Sequence, residues 1–267
     1  MPAGGGSRSQ LGRFLRSRRE RLNPADAGFP SGPRRRSPGL RREEVAVLAG
    51  LSPTWYTYLE QGRDIHPSPE VMDSLARVLL LTEDERRYVH TLAYGQVIKP
   101  VALVSDVAGN DLLREVVALE QDNPYPVYAV NQHNDLVAWN KASVEWYDDW
   151  SRYPEGERNL VHWMLTSPLA RKRLLNWESD AKDTVARWRA EAAKWPDDEV
   201  LLDRIDRMLE LSPLFAEWWD EQVVRENRSR VRRFRLPGVG PRALRVLPLQ
   251  SPEFAPAGIM FHLPADP

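Results

Sequence analysis

A chain of 267 residues, 42% hydrophobic and 28% charged, has the composition of a globular protein of about two domains. The formal net charge of -1 points to no charged partner, and the lack of cysteine excludes a disulfide scaffold, a thiolate metal site and a cysteine nucleophile. No apolar run approaches the ~18 residues that span a bilayer, so a cytoplasmic protein without membrane contact is expected. MPAGGGSRSQ lacks the apolar core of a signal peptide, and residues 1–8 read as a disordered tail. Leu11, Phe14, Leu15, Arg18 and Leu22 follow helical spacing, which predicts a first helix over 9–22. Arg16, Arg18, Arg19 and Arg21 read as solvated residues on its surface. PADAGFPSGPRRRSPG then breaks any helix with four prolines and three glycines. REEVAVLA forms a second helix, stopped by Gly50. Ser52-Pro53 and Ser68-Pro69 open two more, with serine as cap and proline at the first helical position. Thr82 and Glu85 make the capping box of a fifth.

The even total charge conceals an uneven distribution. Residues 1–63 hold 12 arginines against 5 acids, a net of +7, whereas residues 101–267 carry a net of -6. An anionic partner such as DNA is expected at the N-terminal end. Within 42–60 two short helices meet at one glycine. Ala46 is small where the helices touch, Gly50 makes the turn, and Tyr56 and Leu59 bury the second helix. The spacing predicts a helix-turn-helix whose second helix enters the major groove. A helical hairpin without a DNA role is the alternative.

LAGLSPTWYTYLEQGRDIHPSPEVMDSLARVLLL resembles the Xre/Cro-type helix-turn-helix, and the arginine-rich GPRRRSPGLRREEVA resembles the MmyB-like regulators in particular. The resemblance covers residues 9–95. It implies that Ser52, Pro53, Thr54 and Tyr58 face the groove, with Trp55 and Thr57 toward its edges. It also implies that Arg63 follows the reading helix onto phosphate, with Arg34, Arg35, Arg36, Arg41 and Arg42 as further cations. The groove-facing positions lack Arg, Asn and Gln, so the bidentate pairings to guanine and adenine are missing there. Hydroxyl contacts, thymine methyls and groove shape are left to carry the readout. Regulators of this kind read two half-sites as homodimers.

After a connector over 96–108, a helix is expected over 109–121. Val127–Val130 and Leu136–Trp139 flank a run of turn formers and predict a hairpin. Leu174, Trp177, Ala181, Val185, Trp188, Ala192 and Trp195 step by three or four, predicting one helix of about 27 residues from Ser167-Pro168 to Pro196. Two shorter helices follow, then three strand-like segments, VRRFRLPGV, RALRVLPLQ and AGIMFHLP. This order predicts an α+β domain over 109–267, an antiparallel sheet packed by helices on one side.

LVAWN, ERNL, SPLFA and RFR, in that order, are similar to the C-terminal domain of MmyB-like regulators, a PAS-like fold. The last segment departs from the family pattern at the expected closing edge of the sheet. The resemblance implies a fatty-acyl or other hydrophobic effector. Nine of the ten tryptophans lie between Trp139 and Trp219. Each alone reads as core, and together they suggest an apolar cavity. Trp139, Trp163 and Phe234 are the candidate walls. Asn140, Asn159, His162 and Arg235 are the candidate polar anchors, with Arg235 suited to a carboxylate. Asn140 as a helix cap and Arg235 in water are the alternatives.

The five histidines show no metal-ligand spacing, and no phosphate-binding or hydrolase motif is present, so neither a metal, a cofactor nor catalysis is expected. Two rivals to a ligand-responsive regulator stand: a second domain that only dimerises or recruits a protein, and an enzyme tethered to DNA.

Overall fold

The structure is a computed structural model that describes residues 5–30, 39–95, 106–131, 133–250 and 257–265. The described residues fall into two compact units. The first takes those up to Val97 together with Arg189–Leu202 and Asp220–Arg225, and the second takes the remainder.

Five helices build the first unit: α1 (Gly5–Arg21), α2 (Arg42–Ala49), α3 (Pro53–Glu60), α4 (Pro69–Val78) and α5 (Glu83–Tyr94). Their starts follow from capping. The hydroxyls of Ser52, Ser68 and Thr82 accept from the backbone N–H groups of Trp55, Val71 and Glu85 at 3.1, 3.4 and 3.3 Å. These bonds satisfy donors that a helix N-terminus leaves open. Phe14, Leu15, Val45, Ala46, Tyr56, Leu75 and Val89 fill one core. At Gly12, α1 comes so close to the end of α3 that an added Cβ would lie 2.3 Å from the Glu60 carbonyl oxygen. The helix expected to begin at residue 9 begins at Gly5, inside the expected tail.

A second difference concerns Arg189–Leu202 and Asp220–Arg225. The sequence assigns them to the domain over 109–267, yet Ala193 and Val224 are part of the first unit's core. Their apolar side chains are buried there, and local periodicity says nothing of which core a residue joins.

The second unit is built on one antiparallel sheet. Its strands β1 (Val127–Val130), β2 (Leu136–Trp139), β3 (Arg230–Leu236), β4 (Gly240–Leu249) and β5 (Gly258–Pro264) run in the order β2-β1-β5-β4-β3. The α+β class is therefore as expected. Asn134, at φ 64°, makes the turn of the β1–β2 hairpin. The last strand does not close an edge but lies between β1 and β4.

Alternation along β1 separates two faces. Val127 and Ala129 pack with Ile259 and with Leu113 and Val117 of α6 (Asp106–Leu119). Tyr128, on the opposite face, meets Tyr147, Trp150 and His262. The sheet is thus covered on both sides, not on one.

The remaining helices are α7 (Lys141–Trp146), α8 (Leu160–Thr166), α9 (Pro168–Arg173), α10 (Trp177–Ala192), α11 (Glu199–Leu211) and α12 (Pro213–Asp220). Of these, α8 has no counterpart in the expected element order, and α7 is the helix implied by the alternative reading of Asn140 as a cap. The single long helix expected from Pro168 to Pro196 is two. At the break Leu174 bridges Phe234, and the Leu175 N–H donates to the Arg233 carbonyl at 2.9 Å. Strand β3 claims this backbone, a long-range bond that the apolar spacing does not register.

Candidate nucleic-acid interface and effector cavity

The turn between α2 and α3 has the geometry that its spacing requires. Gly50 is left-handed at φ 72°, a conformation that costs a residue with a side chain ~1–2 kcal/mol. The Leu51 N–H reaches back to the Ala46 carbonyl at 2.8 Å. Ala46 and Tyr56 are fully buried and Leu59 nearly so, which fixes one face of α3 inward.

The opposite face carries Ser52, Pro53 and Thr54, all exposed, while Trp55, Thr57 and Tyr58 are half-buried. The Ser52 hydroxyl is engaged as the cap, and the Thr57 hydroxyl donates to the Pro53 carbonyl at 2.8 Å. Arg63 is exposed, its guanidinium stacked 4.1 Å over the Tyr58 ring. Arg41 is exposed at the start of α2. Arg34, Arg35 and Arg36 lie outside the described residues.

Arg42 is placed differently from the other cations. Its Nε donates to Glu60 Oε2 at 2.6 Å, and Arg19 Nη2 binds Glu60 Oε1 at 2.6 Å. The Glu60 side chain is wholly buried. Arg19 also donates to the Leu40 carbonyl at 2.7 Å, and Arg18 pairs with Glu85 at 2.9 Å. The reading of Arg18 and Arg19 as solvated is therefore corrected: both are buried, at 5% and 4% exposure. Helical spacing finds the apolar stripe of α1 but not the carboxylates that meet its flanks. Glu60, which holds Arg19 to α2 and α3, was missed. Its position in the Leu-Glu-Gln-Gly stretch was the available signal.

In the second unit the seven candidate ligand residues divide. Asn140 is buried and fully occupied. Its carbonyl accepts from the Val127 N–H and the Ser143 N–H and hydroxyl, and its amide donates to the carbonyls of Glu120, Asn123 and Tyr125. It caps α7 and ties three segments together, so it has no bond left for a ligand. Trp163 is buried, its indole N–H donating to Asp148 at 2.9 Å. Phe234 is buried edge-on to Tyr147 at 5.0 Å. Trp139 is half-buried, edge-on to Trp150 at 5.7 Å. Arg235 is exposed on the outward register of β3, the alternative reading for this residue.

Asn159 and His162 border a cavity. It has a volume of about 370 Å³, and Trp188, Arg204, Met208 and Leu211 also line it. Asn159 caps α8 through Val161 and His162, and its amide donates to Asp135 at 3.2 Å. Burial holds the His162 imidazolium below its ordinary pKa, so the ring is neutral near pH 7. Trp188, Arg204 and Met208 were missed because they lie ~25–50 positions from His162 in the chain.

Deeper in the sheet's inner face lies a buried polar chain. Arg232 donates to the Tyr147 hydroxyl at 3.1 Å, and that hydroxyl meets His262 Nε2 at 2.7 Å. His262 Nδ1 faces the Pro126 carbonyl at 2.9 Å, so Nδ1 carries the proton and Nε2 accepts from Tyr147. Burial, with Arg232 nearby, pushes the His262 pKa down to about 3. Burial also raises the Tyr147 phenol well above its ordinary value. The arrangement holds a proton in place and has no nucleophile, so it reads as a structural bolt. Among the described residues no cluster of His, Asp or Glu could hold a metal, and no helix is long and apolar enough to cross a membrane.

Comparison with known families also divides the chain in two. A model described as a helix-turn-helix domain matches residues 10–89. One described as the MmyB-like transcription regulator ligand binding domain matches residues 116–267, more than half of the chain. No curated protein matches the chain.

Proposed function

The chain belongs to the MmyB-like transcription regulators, and from that premise we propose that it acts in the cytoplasm as a homodimer on an operator in double-stranded DNA, under the control of a small hydrophobic, fatty-acyl-like effector. A helix-turn-helix domain and a ligand-binding domain in one chain make it a DNA-binding regulator with a sensor region. The observation that carries the DNA reading is the division of α3 into a buried face, Tyr56 and Leu59, and an exposed face, Ser52 to Thr54. In this reading Thr54 and Tyr58 contact base edges, Trp55 and Thr57 flank them, and Ser52 and Pro53 approach the backbone. Arg41, Arg63 and the basic segment Arg34, Arg35 and Arg36 neutralise phosphate. Arg42 serves mainly to position α3 through Glu60.

The effector reading rests on the family of residues 116–267 and on the cavity beside His162. An effector controls DNA binding only if it binds two states of the regulator unequally. The domain organisation proposed is a reading module over 9–95, a connector over 96–108 and a sensor over 109–267 that lends two segments to the first core.

Two measurements test this. Selection from a random DNA pool should return a symmetric, two-half-site sequence, and Thr54→Ala or Tyr58→Ala should shift its preferred bases. An unchanged preference in both variants contradicts the docking of α3. Native mass spectra of the full chain, compared with an organic extract of the denatured protein, should reveal a stoichiometric apolar molecule. A chain that neither carries nor takes up such a molecule favours the second reading, a domain that only dimerises or recruits a protein.

A further inference from the structure

The sheet of the second unit is covered unevenly. On its outer face Val127, Ala129 and Ile259 pack with α6, and Phe261 joins them. The strand register extends the same face beyond that helix. Leu249 lies opposite Ile259, Arg245 opposite Leu263, and Val231 opposite Arg245. This part of the face is open: Val231, Leu263 and Leu249 are 38%, 44% and 48% exposed. Alternation along β3 places Arg233 and Arg235 beside Val231, and both are exposed, as is Arg245.

Two properties of this surface call for a partner. Apolar side chains exposed singly are ordinary, but several together on one face mark a contact surface. The second property is charge. Strands β3, β4 and β5 carry six arginines and no Asp or Glu, within a region of net charge -6. Arg233, Arg235 and Arg245 form no ion pair among the described residues. Arg245 is the diagonal neighbour of Arg233, so these cations repel one another until an anionic surface meets them. DNA phosphate would supply the charge but would leave the apolar residues wet. An acidic protein surface with apolar residues of its own answers both.

This chain carries such a surface. On α11, Asp203, Asp206 and Glu210 fall on one helical stripe. All three are exposed and form no ion pair among the described residues. Leu202, 44% exposed, stands beside them. Across a two-fold axis the arginine face cannot meet its own copy, because like charges would oppose. It can meet the acidic stripe of the second copy, and the axis then repeats the contact.

We infer that the open outer face of β3, β4 and β5 is a dimer surface, and that its occupant is α11 of a second copy of this chain. The inference rests on the homodimer reading and names the surfaces that join.

Sedimentation velocity of the full-length chain without DNA tests it. A dimer that weakens as salt rises is expected. Arg233→Glu with Arg235→Glu should weaken it at least about tenfold, and so should Asp203→Arg with Asp206→Arg. All four positions are exposed, so thermal midpoints should stay within a few degrees of the parent's. Mixing the two variants should restore a dimer, because both contacts of the mixed pair then join opposite charges; misfolded chains would not combine. Dimers that persist in both variants overturn the interface and leave the homodimer reading intact. Variants that dissociate alone and fail to combine overturn α11 as the occupant. An arginine variant that stays dimeric but binds all DNA sequences less tightly makes the face a phosphate surface and overturns the inference. A parent chain that is monomeric in solution overturns the interface, and if it also sits singly on its selected operator the homodimer reading falls with it.

Discussion

In the N-terminal unit the buried carboxylate of Glu60 has a guanidinium nitrogen 2.6 Å from each oxygen, one from Arg19 and one from Arg42. In the sheet domain the half-buried Arg230 and the fully buried Arg232 lie on the same face of one strand and keep nitrogen atoms without a hydrogen bond. Burial and the neighbouring Arg232 push Arg230 down to about 10. The cavity residues Trp188, Arg204 and His162 have unpaired polar atoms as well. The first region holds its buried carboxylate between two cations, although Arg19 Nε and the Tyr56 hydroxyl have no partner, and presents its chemistry on the outer face of α3. The second buries cations and ring N–H groups on the inner face of its sheet and around its cavity.

The strongest way to break this comparison is Glu60→Ala. It leaves Arg19, which is 4% exposed, with only the looser Glu20 carboxylate at 3.5 Å. Removing one partner of a buried pair costs ~3–5 kcal/mol, so denaturant unfolding of the full chain should show an early transition in which the helical module is lost. A loss below about 1 kcal/mol, the range of surface pairs, would place Glu60 among ordinary exposed contacts.

The sheet domain has its own test in pH. The His262 pKa falls from 6.5 in the unfolded chain to about 3 when folded. Between those values the unfolded chain binds one more proton than the folded one, so stability falls as pH falls. The slope from this residue approaches about 1.4 kcal/mol per pH unit, a loss of roughly 3 kcal/mol from pH 7 to pH 4. His262→Gln keeps a donor and an acceptor between Pro126 and Tyr147 but does not titrate. Its unfolding free energy should drop less steeply than the parent's over that window, and parallel curves contradict the buried neutral imidazole.

Smaller effects sharpen the contrast. Ser52→Ala removes the cap of α3 and should cost ~1 kcal/mol, read as a lower thermal midpoint. Arg63→Ala should leave stability unchanged within ~0.5 kcal/mol. It should flatten the dependence of log K on log salt by about 0.9, one phosphate contact, measured by fluorescence anisotropy on selected DNA.

The two regions also differ in how far their sequences disclose them. The turn at Gly50, its small neighbour Ala46 and the anchors Tyr56 and Leu59 lie within about four helical turns, and local spacing reveals such geometry. Ser52, Ser68 and Thr82 announce helix starts for the same reason. The ion pairs of Arg18 and Arg19 are long-range, and nothing in α1 distinguishes these two residues from the exposed Arg16. In the sheet domain the hairpin and the closing strands were legible from alternation and turn formers. The break at Leu174 was not, because β3, some sixty residues away, supplies the bond. Asn140 and Asn159 were picked out as polar anchors. One is spent on six hydrogen bonds around α7, and the other caps α8 beside the cavity. Aromatic content announced a large core without saying where that core leaves space.

The most direct test joins the two regions in one titration. The affinity of the full-length chain for its selected DNA would be measured with and without a saturating fatty acid, in the parent and in Leu211→Trp, which fills the cavity beside His162. A ligand-controlled reading head predicts a change of ~5–150-fold in the parent, lost in the variant. An affinity that ignores the fatty acid in both chains contradicts control of DNA binding through this cavity.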